Sequence, residues 1–163
     1  MLGPVGCGLC GVDSIAAALP PVVQVTSGLR LTPGDVGAAM AALAQGQLRW
    51  RETPAIHAAG LWTPAGALVR EDVGRHNALD KLAGAVARSV PAPDPGMAAV
   101  VMTSRLSVDL VQKTARLGAP VLIGAGVPTG LAIAWADAAG ITLIGRARGD
   151  GFDLFTHPQR IEG

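Results

Sequence analysis

Residues 98–130 read AAVVMTSRLSVDLVQKTARLGAPVLIGAGVPTG. An apolar run, a short polar stretch, a helical repeat and a second apolar run follow one another, with a glycine after the repeat. The spacing predicts a strand over Ala98–Thr103, a helix over Ser107–Leu117 stopped by Gly118, and a strand over Pro120–Gly124. Two apolar runs joined by one helix require a crossover, so the strands run parallel, and strands apolar on both faces need cover on both sides. The fold class that follows is α/β: a three-layer α/β/α sandwich around a mainly parallel or mixed sheet.

The alternation continues in both directions. Downstream, Thr129–Ala139 reads as a helix ending at Gly140, Ile141–Ala147 as a strand, and Phe152–Thr156 as a short last strand. Upstream lies a helix from about Asn77 to Ser89. Before it, Ile56–Trp62 and Ala67–Val73 read as a hairpin turning at Thr63-Pro64-Ala65-Gly66. Thr32 and Pro33 supply an N-cap and a first-turn proline for an Ala-rich helix reaching Gln45 or Gly46. Val22–Val25 is expected to be extended, and Val12–Leu19 a short helix ended by Pro20-Pro21. No internal repeat divides the chain, so residues 1–163 are expected to form one domain, with a mobile cysteine loop over 1–12 ahead of a core over 13–163.

Composition narrows the function classes. Half of the 163 residues are apolar, which is ample for one hydrophobic core, yet Gly, Pro or charge interrupts every run before the roughly 20 residues a membrane helix needs. A formal net charge of +1 excludes a broad nucleic-acid or membrane surface held by counterion release. The start of the chain has neither a basic nor an apolar region of secretory type, and a reducing cytoplasm is the expected location.

Chemistry concentrates in four places. Both cysteines, Cys7 and Cys10, lie in GCGLCG. A zinc site would need two of His57, His76 and His157 besides them, and the spacing matches no finger, ribbon or zinc deaminase. A thioredoxin-type role would want a preceding strand. A carrier of persulfide sulfur fits a glycine-flanked loop, and an incidental pair of thiols also remains open. The segment EDVGRHNALDK, residues 71–81, packs Arg75 and His76 into a strand-to-helix junction, which suits an anion at a helix N-terminus or, alternatively, a locally bonded turn. Thr103-Ser104-Arg105-Leu106-Ser107 and Gly126-Val127-Pro128-Thr129 repeat that arrangement after later strands, where ligands of open α/β sheets sit.

Together GCGLCG, EDVGRHNALDK, TSRLSVDLVQK, GVPTGLA and GRARGDGFDLFTHPQRI resemble, in order and spacing, the formate dehydrogenase accessory sulfurtransferase (FdhD) family across residues 3–161. The resemblance implies a fold like cytidine deaminase without its zinc, and no intrinsic metal. It implies a cytoplasmic sulfurtransferase that accepts persulfide sulfur from a cysteine desulfurase. The sulfur passes to Mo-bis(molybdopterin guanine dinucleotide) for formate dehydrogenase, and the carrier is expected to be a homodimer. Cys7 is then the persulfide-forming residue and Cys10 its partner, while Arg146, Ala147, Arg148, Gly149, Asp150 and Gly151 form the cofactor-contacting segment. Arg75, His76 and Arg105 are expected around the same pocket. A second class of function is a non-catalytic module that holds the cofactor or the apo-dehydrogenase. The family's Ser-Gly-Arg stands here as Thr103-Ser104-Arg105, and its Gly-Phe near the last long strand as Gly145-Arg146. Longer members carry several more strands before the cysteine loop.

Overall fold

The computed structural model describes residues 21–149 and 151–163. The helix expected over Val12–Leu19 and the cysteine loop lie outside these residues.

Among the described residues, four α-helices and six strands follow in chain order: α1 (Pro33–Gly46), β1 (His57–Thr63), β2 (Gly66–Asp72), α2 (Arg75–Arg88), β3 (Ala99–Met102), α3 (Val108–Leu117), β4 (Val121–Gly124), α4 (Gly130–Ala139), β5 (Thr142–Arg148) and β6 (Gly151–Leu154). Val22–Val25 forms no strand; Val25 is instead buried and its N–H donates to the carbonyl of Ala139.

The strands make one sheet in the order β2-β1-β3-β4-β5-β6. The pairs β3–β4 and β4–β5 are parallel, while β1–β2, β1–β3 and β5–β6 are antiparallel. The sheet is therefore mixed rather than mainly parallel. The reason is local: the Pro64-Ala65 turn and the link between Arg148 and Gly151 are too short for a crossover, so each reverses the chain at a sheet edge.

Topology then decides the layers. The connections β2–α2–β3, β3–α3–β4 and β4–α4–β5 all step across the sheet in the same sense. Right-handed crossovers stepping one way put their helices on one face. Accordingly α2, α3 and α4 share a core with Leu61, Val100, Met102, Leu122 and Leu143. The opposite face carries α1, whose Val36, Ala39 and Leu43 pack with Trp62, Val101 and Ile123. Alternate residues of β3 enter alternate cores, as a period of two demands.

Helix ends follow the local chemistry. The Thr32 side chain accepts the N–H of Asp35 at 3.2 Å while the Asp35 carboxylate accepts the N–H of Thr32 at 2.7 Å, a reciprocal cap ahead of Pro33. Gly118 and Gly140 close α3 and α4 in the left-handed conformation. Helix α2 begins two residues earlier than the sequence suggests. Gly74, extended, takes the cap position and its carbonyl accepts the N–H of Ala78 at 2.9 Å, which draws Arg75 and His76 into the first helical turn.

Candidate functional site

The carboxyl ends of β3, β4 and β5 form a laced rim. The loops after β3 and β4 are joined by backbone hydrogen bonds from Gly126 N–H to Ser104 C=O (3.2 Å), Leu106 N–H to Val127 C=O (3.3 Å) and Thr129 N–H to Leu106 C=O (3.0 Å). The N–H of Arg146 on β5 then donates to Gly126 C=O at 3.1 Å. This spacing needs Gly126 to lack a side chain, because a Cβ there would stand 2.7 Å from Arg105 Cα and 2.8 Å from Arg105 N. At Gly145 a Cβ would lie 2.8 Å from Pro128 Cδ, so β5 too is packed against the loop after β4.

Rim loops held this closely aim their side chains. Arg146 adopts φ 51° at a bulge between Gly145 and Arg148, where the β5–β6 register shifts. A bulge re-aims the side chains around it, and here Arg146 and Arg148 join Arg105 around a cavity of about 370 Å³ floored by Ala125, Gly126 and Val127. All three arginines are exposed. Arg146 pairs with Asp153 on β6, whereas Arg105 and Arg148 form no ion pair among the described residues. Guanidinium groups around backbone of small residues make a concave site for phosphate or another oxyanion.

The remaining predicted residues divide. Ala147 is buried in the core beneath α1. Gly149 and Gly151, with Arg148, border a second cavity of about 410 Å³ on the α1 side, beside Gly34 and Gly37. Asp150, Cys7 and Cys10 lie outside the described residues. Arg75 and His76, on the first turn of α2, do not line the arginine cavity. Burial and the adjacent Arg75 charge lower the pKa of His76, which also feels Asp109 and Lys113 on α3 and Asp80 on its own helix. The carboxylates of the 71–81 segment are bonded within the fold: Asp72 pairs with Lys81, Asp80 with Lys113 at 2.5 Å, and Glu71 accepts the N–H groups of Arg49 (2.8 Å) and Trp50 (2.9 Å). Asp72 is held at about 2, first by its hydrogen bond from Lys81 and next by that from the Gly74 N–H. The Nε of Arg75 is buried with no hydrogen-bond partner among the described residues.

Two features escape a reading of motifs. The rim continues past Thr103 to a recess of about 480 Å³ lined by Trp50, His57, Thr103 and Gln47. The signal for it was present in LRWRET, residues 48–53, where a tryptophan stands between arginines outside any periodic segment. Asp153, the partner of Arg146, had no signal, since the bulge alone brings it there. The three histidines sit apart in role. His57 lines the recess, His76 lies on the first turn of α2, and His157 orders the C-terminal turn through Asp137 C=O (2.9 Å) and Gln159 (3.2 Å). Among the described residues no three His, Cys, Asp or Glu side chains cluster as a metal site, and no helix is long and apolar enough to cross a membrane.

Known proteins resemble this chain in sequence and in fold. The chain is 53% identical to a sulfur carrier protein FdhD from Agrobacterium fabrum over 99% of its own length and 60% of the relative's. It is 46% identical to a protein of the same name from Bordetella bronchiseptica, over 99% of this chain and 58% of that one. The chain thus spans about three fifths of the length of the curated relatives it matches. A crystal structure assigned to a formate dehydrogenase accessory protein from Desulfotalea psychrophila superposes with a TM-score of 0.79 at 29% identity, covering 87% of this chain and 61% of that one. The model of the FdhD/NarQ family matches residues 1–162, and with these identities it places the chain in the FdhD/NarQ family.

Proposed function

We propose that this protein is a sulfur carrier that accepts persulfide sulfur from a cysteine desulfurase and delivers it to Mo-bis(molybdopterin guanine dinucleotide) destined for formate dehydrogenase. Relatives named sulfur carrier protein FdhD support the transfer of sulfur. The observation that carries the acceptor is the convergence of Arg105, Arg146 and Arg148 on one cavity at the strand ends, since guanidinium grips phosphate oxygens in pairs and the acceptor carries phosphates at each nucleotide.

In this reading the Cys7 thiolate attacks the outer sulfur of the donor persulfide. A new S–S bond forms at Cys7, the donor's S–S bond breaks, and the donor cysteine leaves as thiolate. Cys10 is the partner thiol that assists release. The arginines hold the acceptor's phosphates, Gly149, Asp150 and Gly151 continue the contact, and the redox chemistry belongs to the acceptor's metal. Arg75 and His76 lie on the first turn of α2, outside the lining of the arginine cavity, and His76 has a structural role there. The carrier works in the cytoplasm, as a homodimer.

Incubating the protein with a cysteine desulfurase and cysteine, then weighing it by mass spectrometry, tests the carrier. One added sulfur atom is expected on the parent and none on Cys7→Ala. A parent that gains no sulfur yet still binds GDP in calorimetry would leave the non-catalytic cofactor holder as the better reading.

A further inference from the structure

Residue 146 stands where the β5–β6 ladder breaks step. Gly145 pairs with Asp153 and Arg148 with Gly151, so Arg146 and Ala147 on β5 face Phe152 alone on β6. The extra residue reverses the alternation of faces along β5. Ile144 and Ala147, three apart, both lie in the core beneath α1, where a regular strand would put Ile144 and Arg146. The bulge thus turns an arginine out of an apolar core and gives its place to an alanine. On β6, Phe152 and Leu154 pack against that same core, which leaves Asp153, between them, on the opposite face, where it meets Arg146.

The backbone of Arg146 is strained. Its φ of 51° is left-handed, a conformation that a residue with a Cβ keeps only where its surroundings fix it. Two anchors do so. The N–H donates to Gly126 C=O at 3.1 Å, and the side chain places Nε and Nη2 on one carboxylate oxygen of Asp153. Asp153 thereby occupies one edge of the guanidinium. Nη1 makes no hydrogen bond among the described residues, and Arg146 lines the cavity it shares with Arg105 and Arg148.

The three arginines are therefore not equivalent. Arg105 and Arg148 are exposed and form no ion pair among the described residues, so each must be ordered when a ligand arrives, which opposes binding. Arg146 is ordered beforehand. Asp153 matches its charge, so what Arg146 brings to the cavity is a guanidinium plane held in one direction, with its outer N–H groups open to an oxyanion.

We infer that Asp153 is a positioning residue of the arginine cavity: it fixes the Arg146 guanidinium by one edge, so that the free edge binds a phosphate oxygen of the ligand. The inference rests on the phosphate reading of that cavity.

Two variants of equal charge test it. Asp153→Asn and Asp153→Ala both remove the carboxylate, but only the first keeps an oxygen that accepts from Nε. In calorimetry on the full chain, pyrophosphate is expected to bind Asp153→Asn at least as tightly as the parent, and Asp153→Ala about fivefold more weakly than Asp153→Asn. With Arg146→Ala added, the two substitutions are expected to give the same affinity. Nuclear magnetic resonance of the arginine Nε–H groups gives a readout without ligand. The Arg146 signal is expected to exchange slowly with solvent in the parent and in Asp153→Asn, and as fast as that of Arg105 in Asp153→Ala. Equal pyrophosphate affinities of Asp153→Asn and Asp153→Ala overturn the inference, as does an Arg146 signal in the parent that exchanges as fast as that of Arg105. A parent that binds no pyrophosphate removes the phosphate reading instead, and the exchange rate at Arg146 still decides whether Asp153 fixes the guanidinium.

Discussion

The segment Glu71–Lys81 and the rim at the ends of β3 and β5 both carry charge, but they dispose of it differently. In the first, the carboxylates meet a lysine or a backbone N–H within the fold: Asp72 with Lys81, Asp80 with Lys113, Glu71 with the Arg49–Trp50 turn. At the rim, a rigid backbone presents Arg105 and Arg148 without an ion pair among the described residues. Charge that is matched internally holds elements together, whereas charge held out on a stiff frame is available to a ligand. The polar motif most specific in sequence is thus chiefly a brace, and a plainer set of loops forms the concave cationic site.

The sharpest way to break this contrast is at Gly126. A valine there must push its Cβ into the backbone of Arg105, so Gly126→Val is expected to lose about 3 kcal/mol, lowering the melting midpoint by roughly 6–12 °C. A midpoint equal to the parent's would mean that the rim is not rigid. Removing the brace comes next in size. Glu71→Ala frees two N–H groups and should cost about 1–2 kcal/mol in urea unfolding, with greater acrylamide quenching of Trp50 as its turn loosens. Arg148→Ala reverses the pattern: stability within about 0.5 kcal/mol of the parent, but GDP affinity in calorimetry reduced about tenfold. Were Arg148→Ala to destabilise the fold as much as Glu71→Ala, the two regions would not differ in kind.

The smallest effect concerns Lys81 and acid. A carboxyl whose folded pKa, about 2, lies below its ordinary 3.8 contributes stability above pH 3.8, and loses it as pH falls through that window. Lys81→Ala removes the largest cause of the shift, so the Asp72 carboxyl should titrate closer to 3.8 by NMR, and acid unfolding should begin at higher pH. His57 and His76 carry the same sign at higher pH. Both are lowered chiefly by burial, so each favours the folded state above pH 6.5 and withdraws that support as pH drops below it.

Much of the fold was legible because its signals are local. The Thr32–Pro33 cap, the Pro64-Ala65 hairpin turn and the glycines after α3 and α4 act within a few residues, and each stands where its chemistry requires. The sheet's mixed direction was less legible, since it depends on which edges the hairpins occupy. At the site, Arg105, Arg146 and Arg148 were readable as candidates, but Arg75 and His76 were misplaced into a loop. Their helical position comes from Gly74 taking the cap, a choice that residue identities alone leave undecided. Trp50 was passed over because no periodic segment contains it.

By itself, the sequence determined the α/β class and the membership of the FdhD/NarQ family, and it supplied the candidate cysteines and arginines. These follow from periodicity and from motif order, which need no knowledge of distances. Only the tertiary structure decided that Arg105 and Arg146 share one cavity, that Ala147 between two arginines faces the core, and that a neutral recess with Trp50 adjoins them. Those outcomes hang on a bulge and on the lacing of two loops around Gly126. Both arise from contacts between segments far apart in the chain.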